Sequence, residues 1–478
     1  TVDMRGGAAG WRTARWRGER MPVAADVALP AGMQPMPEGR AATVPEQIGR
    51  LEVRFTWPWQ GVDWSLGYVA FLVYVFVISS YIVNIGQPMM LLAVLGITFG
   101  KRDRWRLSAP ILLLAAFVLL IALTFQGTEY RSFDWLPLTD MAKVAAIFAV
   151  AASVLNSRAR LRFFMFYYLA VFALYPVRGG MFNWFIYNAT TQGRVGWNHL
   201  FENPNDFAAL MIFPLGLVIA VWLSERNKLI RLLAFAGVSA LPLVIFLTQS
   251  RGAILALVGG VFAYFLFQGK GRMKTLLTII AVAGVVAVLA PKDVWTRMRN
   301  LQSATTSGEL AAADDYGSAA QRFEIWKVAW KVHEAFPLTG VGWGAYPNAH
   351  AEFARRPGIA ETARGARDSH NTYLTLLAET GYVGFALWAA MLSAIVGNAI
   401  RAMRRVGRYV PEYALQIRVI LLALLSFGLA GMFGSFAHMS FLYLHLAALV
   451  GLATASNEEV DARERTPARR RGGAVVPR

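Results

Sequence analysis

Cysteine is absent from the 478 residues of the chain, which excludes thiol catalysis, thiolate metal sites and disulfide bonds. Charged residues are scarce as well, at 16% of the sequence, whereas soluble domains average about 25%. Acidic residues are scarcer than basic ones, with 29 Asp and Glu against 47 Lys and Arg, and the net charge is therefore +18. The hydrophobic share of 56% exceeds the roughly 45–50% of soluble domains. This composition excludes an ordinary soluble protein.

The basic excess would suggest a nucleic-acid partner if the protein were soluble. Apolar runs of about 20 residues, long enough to cross the hydrocarbon core of a bilayer, exclude that interpretation. We therefore predict an all-α polytopic membrane protein whose surroundings are the lipid bilayer and which binds no nucleic acid.

Twelve apolar stretches are predicted to cross the membrane. They are residues 65–83, 86–100, 108–125, 138–155, 161–177, 206–224, 229–248, 252–268, 273–290, 371–399, 416–435 and 439–455. Alternate loops carry clusters of Lys and Arg, as at Lys101–Arg106 and Arg401–Arg408, and the loops between them carry few. Because cytoplasmic loops are the basic ones, both termini are predicted to lie in the cytosol. An odd number of spans would break this alternation.

Three regions follow from this topology. Residues 1–62 are predicted to form a disordered cytosolic tail, residues 63–455 the transmembrane domain, and residues 456–478 a second, basic and disordered cytosolic tail. Within the transmembrane domain, residues 291–370 form one large loop outside the membrane, with short helices in it. A loop of that length is usually functional.

The clearest helical pattern in the large loop is Gln321–Phe336. Its aromatic residues are predicted to share one side, namely Phe323, Trp326, Trp330 and Phe336. Charged residues mark the other side. Such an amphipathic helix either lies at the membrane surface or packs against the bundle, and the sequence favours neither.

Arginines at the outer ends of the spans are the first candidates for function. Arg251 lies in the short hinge Thr248–Gly252, on the outer side, where the positive-inside bias disfavours it. This position suggests a function, although an arginine that merely snorkels is the alternative. Arg194 precedes a second polar group, Asn203–Asp206, whose alternative explanation is a turn and a helix N-cap.

A third polar group closes the large loop. It contains Arg364, Arg367, His370 and Asn371. His370 stands at the start of a span, where an unperturbed pKa of about 6.5 would let it act as a base near neutral pH. A cap or packing role is the alternative for this histidine. The same loop also holds Arg322 and the glycine-rich stretch Gly340–Tyr346.

Together these residues share one outer face of the predicted bundle. The set comprises Arg194, Arg251, Arg322, Arg364, Arg367 and His370. Arginine stays charged and binds phosphate oxygens in a bidentate manner, so the set suggests recognition of phosphate or pyrophosphate. It would also stabilise a diphosphate leaving group as negative charge builds up.

Metal-binding motifs are missing from this outer face. The sequence holds no HExxH, no Asp-x-Asp near an outer loop and no paired histidines at helical spacing there. We therefore predict neither a metal nor a cofactor. His438 and His445, seven residues apart in the last span, are expected to pack or cap.

The ordered motifs resemble the O-antigen ligase/polymerase superfamily. They are Asn-Pro-Asn at Asn203–Asn205, Thr-x-Ser-Arg-Gly at Thr248–Gly252, Arg-x-x-x-Trp at Arg322–Trp326, the glycine-rich Pro337–Tyr346, and His-Asn-x-Tyr-Leu with Glu-x-Gly at His370–Gly381. No single motif is specific, whereas the ordered set on this topology is. The resemblance covers residues 65–455.

The resemblance implies a GT-C-like helical fold and a bacterial inner-membrane glycosyltransferase. Such enzymes transfer a glycan from undecaprenyl pyrophosphate to an acceptor on the periplasmic side without a metal. By this resemblance Arg251 and Arg322 bind the donor diphosphate, with Arg194 as a further partner. His370 would orient or deprotonate the acceptor hydroxyl, which attacks the anomeric carbon with inversion. The predicted substrate-binding residues are Arg194, Asn203, Asn205, Arg364, Arg367 and Asn371.

Three interpretations share this donor chemistry and differ in the acceptor of the glycan. The first is an O-antigen ligase that moves lipid-linked polysaccharide onto lipid A–core. The second is a polymerase that joins repeat units of O-antigen or exopolysaccharide on a growing glycan, and the third is protein O-glycosylation. A transporter of lipid-linked glycans is a different class. It would carry charges and broken helices at mid-membrane, whereas the charges here lie at the outer ends.

Overall fold

The computed structural model of the chain describes residues 57–471, except 126, 131–134, 192, 268–271, 290–294 and 296–318. Most of the predicted N-terminal tail and the last seven residues of the chain therefore lie outside the described residues. Regular structure in the described part is helical, apart from one isolated bridge that pairs Thr191 with Arg194.

The fifteen α-helices of the described residues are numbered here in chain order. They are α1 (Leu66–Ser80), α2 (Gly86–Thr98), α3 (Ala109–Phe125), α4 (Leu136–Val154), α5 (Arg158–Phe172), α6 (Arg178–Phe185), α7 (Pro204–Ser224), α8 (Lys228–Leu247), α9 (Arg251–Phe267), α10 (Arg272–Leu289), α11 (Ala319–Ala335), α12 (Tyr346–Phe353), α13 (Thr372–Val406), α14 (Pro411–Ala430) and α15 (Ser440–Arg471). A π-helical turn, Ala173–Val177, joins α5 to α6 at Pro176, whose missing N–H interrupts the regular ladder.

Each predicted span overlaps a helix. The span predicted at residues 161–177 ends before α6, whereas α5, the π-helical turn and α6 form one apolar segment, Arg158–Phe185. Seven helical segments in the described residues are long and apolar enough to cross a membrane. They are Leu136–Val154, Arg158–Phe185, Pro204–Ser224, Lys228–Leu247, Thr372–Val406, Pro411–Ala430 and Ser440–Arg465. Shorter apolar helices are Leu66–Ser80, Gly86–Thr98, Ala109–Phe125 and Arg251–Leu266. The helical membrane architecture is therefore confirmed, whereas the count of twelve spans and the GT-C-like fold stay predictions.

Helix α7 lies in the centre of the bundle, as expected for a helix that is apolar on all sides. It packs against α8 and α14. A Cβ on Gly216 would lie 2.5 Å from the Cβ of Ala423, so small residues allow α7 and α14 to approach closely. The ring of Phe213 stacks on His445 at 4.0 Å, which agrees with the predicted packing role of that histidine.

A buried ion pair ties together neighbouring ends of several helices. Nη1 of Arg160 lies 2.5 Å from Oδ1 of Asp103, and their side chains are 2% and 0% exposed. Nε of Arg160 also donates to the backbone carbonyl of Asp63 at 2.7 Å, and Ser65 donates its hydroxyl to Asp103. The pair therefore joins the start of α5 to the segments before α1 and α3.

The predicted disorder of the C-terminal tail is wrong for residues 456–471, because α15 continues through them. Arg463 and Glu459, one helical turn apart, form an ion pair of 2.8 Å. Arg405 of α13 pairs with Asp461 at 2.6 Å. The tail is helical because its charges find partners along the helix and on the end of α13.

The predicted helix of the large loop exists as α11, and one of its faces is buried against the protein. The buried residues recur at helical spacing, namely Ile325, Val328, Ala329 and Val332, and they pack with α12 and the start of α13. Phe323 and Trp330 are instead 58% and 45% exposed. The smaller apolar residues face the protein, which agrees with the packing alternative, and a membrane contact of the exposed aromatic residues stays a prediction.

Candidate active site

The hinge between α8 and α9 holds the first two predicted arginines. Thr248 and Ser250 are buried, and Arg251 is the exposed first residue of α9. Nε of Arg194 donates to the backbone carbonyl of Thr248 at 2.7 Å. A Cβ on Gly252 would lie 2.7 Å from the Cβ of Phe433, so the hinge packs against the loop between α14 and α15. The structure thus brings Arg194 to the hinge that carries Arg251.

The two predicted asparagines have protein partners. The side chain of Asn203 caps α7 by accepting from the backbone N–H of Asn205 at 2.9 Å, as its capping alternative predicts. Oδ1 of Asn205 accepts from Nη2 of Arg194 at 2.6 Å. Asn205 therefore orients Arg194, and direct substrate binding by either asparagine stays a prediction.

His370 directly precedes α13 and has an unusual backbone conformation. Asn371 is the N-cap of α13, and its Oδ1 accepts from the N–H groups of Tyr373 and Leu374 at 3.0 and 3.1 Å. His370 has a φ of 49°, in the left-handed region that non-glycine residues rarely occupy. The other described non-glycine residues with positive φ are Tyr81, Asn188, His199 and Gln249. Such strain costs of order 1–3 kcal/mol per residue and concentrates at functional sites.

Two arginines and a carboxylate lie close enough to His370 for their charges to shift its pKa. Burial lowers the pKa of His370, Asp368 opposes this effect, and the charges of Arg322 and Arg367 lower the pKa further. His370 is therefore neutral at pH 7 and able to accept a proton or a hydrogen bond. Three predicted site residues, Arg322, Arg367 and His370, are thus brought together by the structure.

Arg364 belongs less closely to this group. Its Nη1 pairs with Oε1 of Glu361 at 2.8 Å in an exposed ion pair. The backbone carbonyl of Arg364 accepts from Nε of Arg367 at 2.9 Å. Arg364 therefore supports Arg367 through its backbone while its own guanidinium group faces Glu361.

The glycine-rich stretch is inserted into a break in α13. The break lies at Gly381, with φ 60° and ψ −166°. The hydrogen bonds across it are Tyr382 N–H to Pro337 O at 2.7 Å, Val383 N–H to Leu338 O at 3.2 Å, Val341 N–H to Ala378 O at 2.9 Å and Gly342 N–H to Glu379 O at 3.0 Å. The inserted segment thus satisfies the backbone groups that the broken helix leaves unpaired.

Glycine is required where the inserted segment and the helix meet. A Cβ on Gly381 would lie 2.3 Å from the carbonyl carbon of Leu338. A Cβ on Gly340 would lie 2.3 Å from the carbonyl carbon of Glu379. Both glycines also have positive φ, so glycine is required at these two positions for conformational as well as steric reasons.

An ionisable pair beside this insertion was missed by the sequence analysis. Oε2 of Glu379, whose side chain is 2% exposed, lies 2.9 Å from Nε2 of His438. The imidazole also stacks on the ring of Trp343 at 3.9 Å. Burial lowers the pKa of His438, but the charge and hydrogen bond of Glu379 outweigh it and raise this pKa overall. The predicted packing role of His438 is therefore incomplete. The sequence did contain a signal for this pair, because Glu379 lies inside the predicted span 371–399, where an ionisable group needs a partner.

Asp368 lies at the centre of the titratable groups at this end. Its Oδ1 accepts from the backbone N–H of Ser369 and from the hydroxyl of Ser435, both at 2.8 Å. The groups that feel its charge are Asp206, Tyr346, His350, His370 and His438. Asp368 therefore joins the end of the large loop to the loop between α14 and α15, and its charge acts on the start of α7.

In the part of the chain that the structure describes, no three His, Cys, Asp or Glu side chains are grouped so as to hold a metal ion. The predicted independence from metal stays a prediction.

These features define a multi-pass membrane protein with arginines, histidines and a carboxylate gathered at one end of its helices. Residues 235–389 match the family model described as O-antigen ligase. The match contains Arg251, Arg322, His370 and the inserted segment, and it confirms the resemblance to the O-antigen ligase superfamily. It implies a glycosyltransferase-like enzyme that acts on a lipid-linked glycan and an acceptor. No curated protein matches the chain.

Proposed function

We propose that the protein transfers a glycan from undecaprenyl pyrophosphate to an acceptor hydroxyl on the periplasmic face of the bacterial inner membrane, and that it ligates O-antigen to lipid A–core. The observation that carries this proposal is the grouping of Arg322 and Arg367 around a neutral His370 within the family match. The basic alternate loops support an orientation with both termini in the cytosol.

Arginines supply the electrostatic part of the proposed reaction. Arg194 is fixed in orientation by Thr248 and Asn205, so it loses little conformational freedom when it binds a diphosphate. Arg251 and Arg322 contribute further charge. As the bond between the anomeric carbon and the diphosphate breaks, these fixed cations stabilise the negative charge on the leaving group. Inversion follows from direct attack of the acceptor hydroxyl from the opposite face.

The transporter alternative receives no support from the break in α13. A transporter would place unwound backbone near the middle of the membrane and use it to hold substrate. The break at Gly381 lies near the start of α13, and the chain's own segment Pro337–Gly342 fills it. We therefore favour an enzyme over a transporter.

Deletion of the gene tests the proposed acceptor. We expect uncapped lipid A–core on a gel, together with intact lipid-linked polymer. Lipid A–core capped with single repeat units would contradict ligation and indicate a repeat-unit polymerase. Unchanged surface polysaccharide would contradict both.

Complementation of the deletion tests the site. Arg251→Gln should fail to restore capping although the protein still inserts, because Arg251 binds the donor diphosphate. Arg356→Gln is the matched control, since Arg356 lies in the same outer region but stacks on Phe353 and pairs with Glu352. Full capping with Arg251→Gln would contradict the assignment.

A further inference from the structure

One carboxylate at the candidate site is held in an unusual way. Both hydrogen bonds to Asp368 fall on its Oδ1, from the Ser369 N–H and the Ser435 hydroxyl. Among the described residues, none donates a hydrogen bond to Oδ2 and none forms an ion pair with this carboxylate. The side chain is exposed at the end of the large loop. One oxygen is therefore held by neutral donors, whereas the other receives no hydrogen bond from the described residues.

This arrangement is what a general base requires. A base works best when a neighbouring group orients it and leaves its reactive atom accessible to the proton. Ser435 comes from the loop between α14 and α15, which is itself tied to α13 by Thr372, whose hydroxyl donates to the Gly434 carbonyl at 2.7 Å. The orientation of Asp368 thus rests on two packed elements and not on its own loop alone.

His370 differs from Asp368 in this respect. Within the described residues no hydrogen bond orients its imidazole ring, and its strained backbone fixes the Cα position more than the ring. The charges of Asp368, Arg322 and Arg367 all act on its imidazole ring. His370 is well placed to position the acceptor or the diphosphate, and the carboxylate is better placed to take a proton.

We propose that Asp368 is the general base of the glycosyl transfer, oriented by Ser435, and that His370 is a positioning residue. This inference rests on the proposed function. Oδ2 of Asp368 takes the proton of the acceptor hydroxyl as the acceptor oxygen bonds to the anomeric carbon. The bond from that carbon to the carrier diphosphate breaks, and its electron pair leaves with the diphosphate. Asp368 then returns the proton to water.

Azide separates loss of a base from loss of binding. This anion attacks an anomeric carbon without needing a proton removed, so it replaces an activated hydroxyl. The full-length protein in detergent is supplied with the lipid-linked glycan, with lipid A–core or sodium azide as the nucleophile. Release of the carrier diphosphate and formation of glycosyl azide are both measured.

Asp368→Ala should lose about 100-fold or more of its acceptor-dependent transfer, in the range usual for a general base. It should still form glycosyl azide of inverted configuration at a rate near that of the wild type. Arg251→Gln should lose both reactions, since it acts on the leaving group. Ser435→Ala should lower kcat with little change in KM for the donor and should leave the azide reaction intact.

Two results would overturn the inference. If Asp368→Ala transfers glycan to the acceptor at the normal rate, the variant is not missing a base. If Asp368→Ala also fails to form glycosyl azide, it has lost binding or folding. Asp368→Asn, which keeps the shape of the side chain, must match the alanine variant in both reactions. If the wild type itself releases no carrier diphosphate with the acceptor, the proposed function fails, whatever the variants do.

Discussion

Gly381 is a residue whose substitution the structure constrains tightly. Its φ of 60° and ψ of −166° fall in a region that is essentially restricted to glycine. A Cβ there would lie 2.3 Å from the carbonyl carbon and 2.4 Å from the carbonyl oxygen of Leu338. These atoms are backbone and cannot rotate away, so Gly381→Ala must displace the segment inserted into α13.

The destabilisation expected for Gly381→Ala has two parts, one conformational and one steric. An L-residue in a strained conformation of this kind costs of order 1–3 kcal/mol. Overpacking against the backbone adds about 1–3 kcal/mol. We therefore expect Gly381→Ala to destabilise the protein by roughly 2–6 kcal/mol, with loss of transfer activity because the inserted segment contacts Glu379 beside the site.

Gly365→Ala is a matched control that separates the conformational cost from the steric cost. Gly365 also has positive φ, 96°, but a Cβ there would meet nothing within 4 Å. Gly365→Ala should therefore show only the conformational cost. The assay is the apparent Tm of each variant in detergent, together with complementation of a deletion strain. An equal loss of Tm for Gly381→Ala and Gly365→Ala would refute the steric argument.

Two further predictions concern ionisable pairs. The raised pKa of His438 means that its pair with Glu379 contributes stability below the unfolded histidine pKa of about 6.5, and that this contribution is lost as pH rises through the raised value. Glu379→Gln should therefore lower the Tm more at about pH 6 than at about pH 9, and an equal deficit at both would contradict the assignment. Asp103→Leu should destabilise by about 3–5 kcal/mol, because it leaves the buried guanidinium of Arg160 without its carboxylate. Asp103→Leu combined with Arg160→Met should recover most of that loss in a double-mutant cycle, and additive losses would argue against the pair.

Helix positions were predictable because they depend on local patterns. Runs of apolar residues place each predicted span on a helix, and capping residues such as Asn371 mark where α13 begins. Motif residues such as Arg322 and His370 could be proposed as site residues from the sequence, since apolar spans do not otherwise need such groups, and their roles stay predictions.

Partners distant in sequence were not predictable. The contact between Glu379 and His438 joins residues 59 positions apart, and no local pattern records it. The helical C-terminal tail depends in the same way on Arg405 of α13. The packing of α11 is a further case, because Ile325 and Val328 are buried against α12 and the start of α13, which lie later in the sequence.

The central claim is that arginines at the ends of these helices bind a diphosphate whose glycan is transferred. The most direct measurement is transfer by the purified protein from undecaprenyl-pyrophosphate-linked glycan to lipid A–core, compared with Arg251→Gln and the control Arg356→Gln. Binding of the donor diphosphate by Arg251 predicts glycosylated lipid A–core and free undecaprenyl pyrophosphate in equal amounts from the wild type and from Arg356→Gln, and neither from Arg251→Gln. Equal transfer by all three proteins, or no transfer by the wild type, would contradict it.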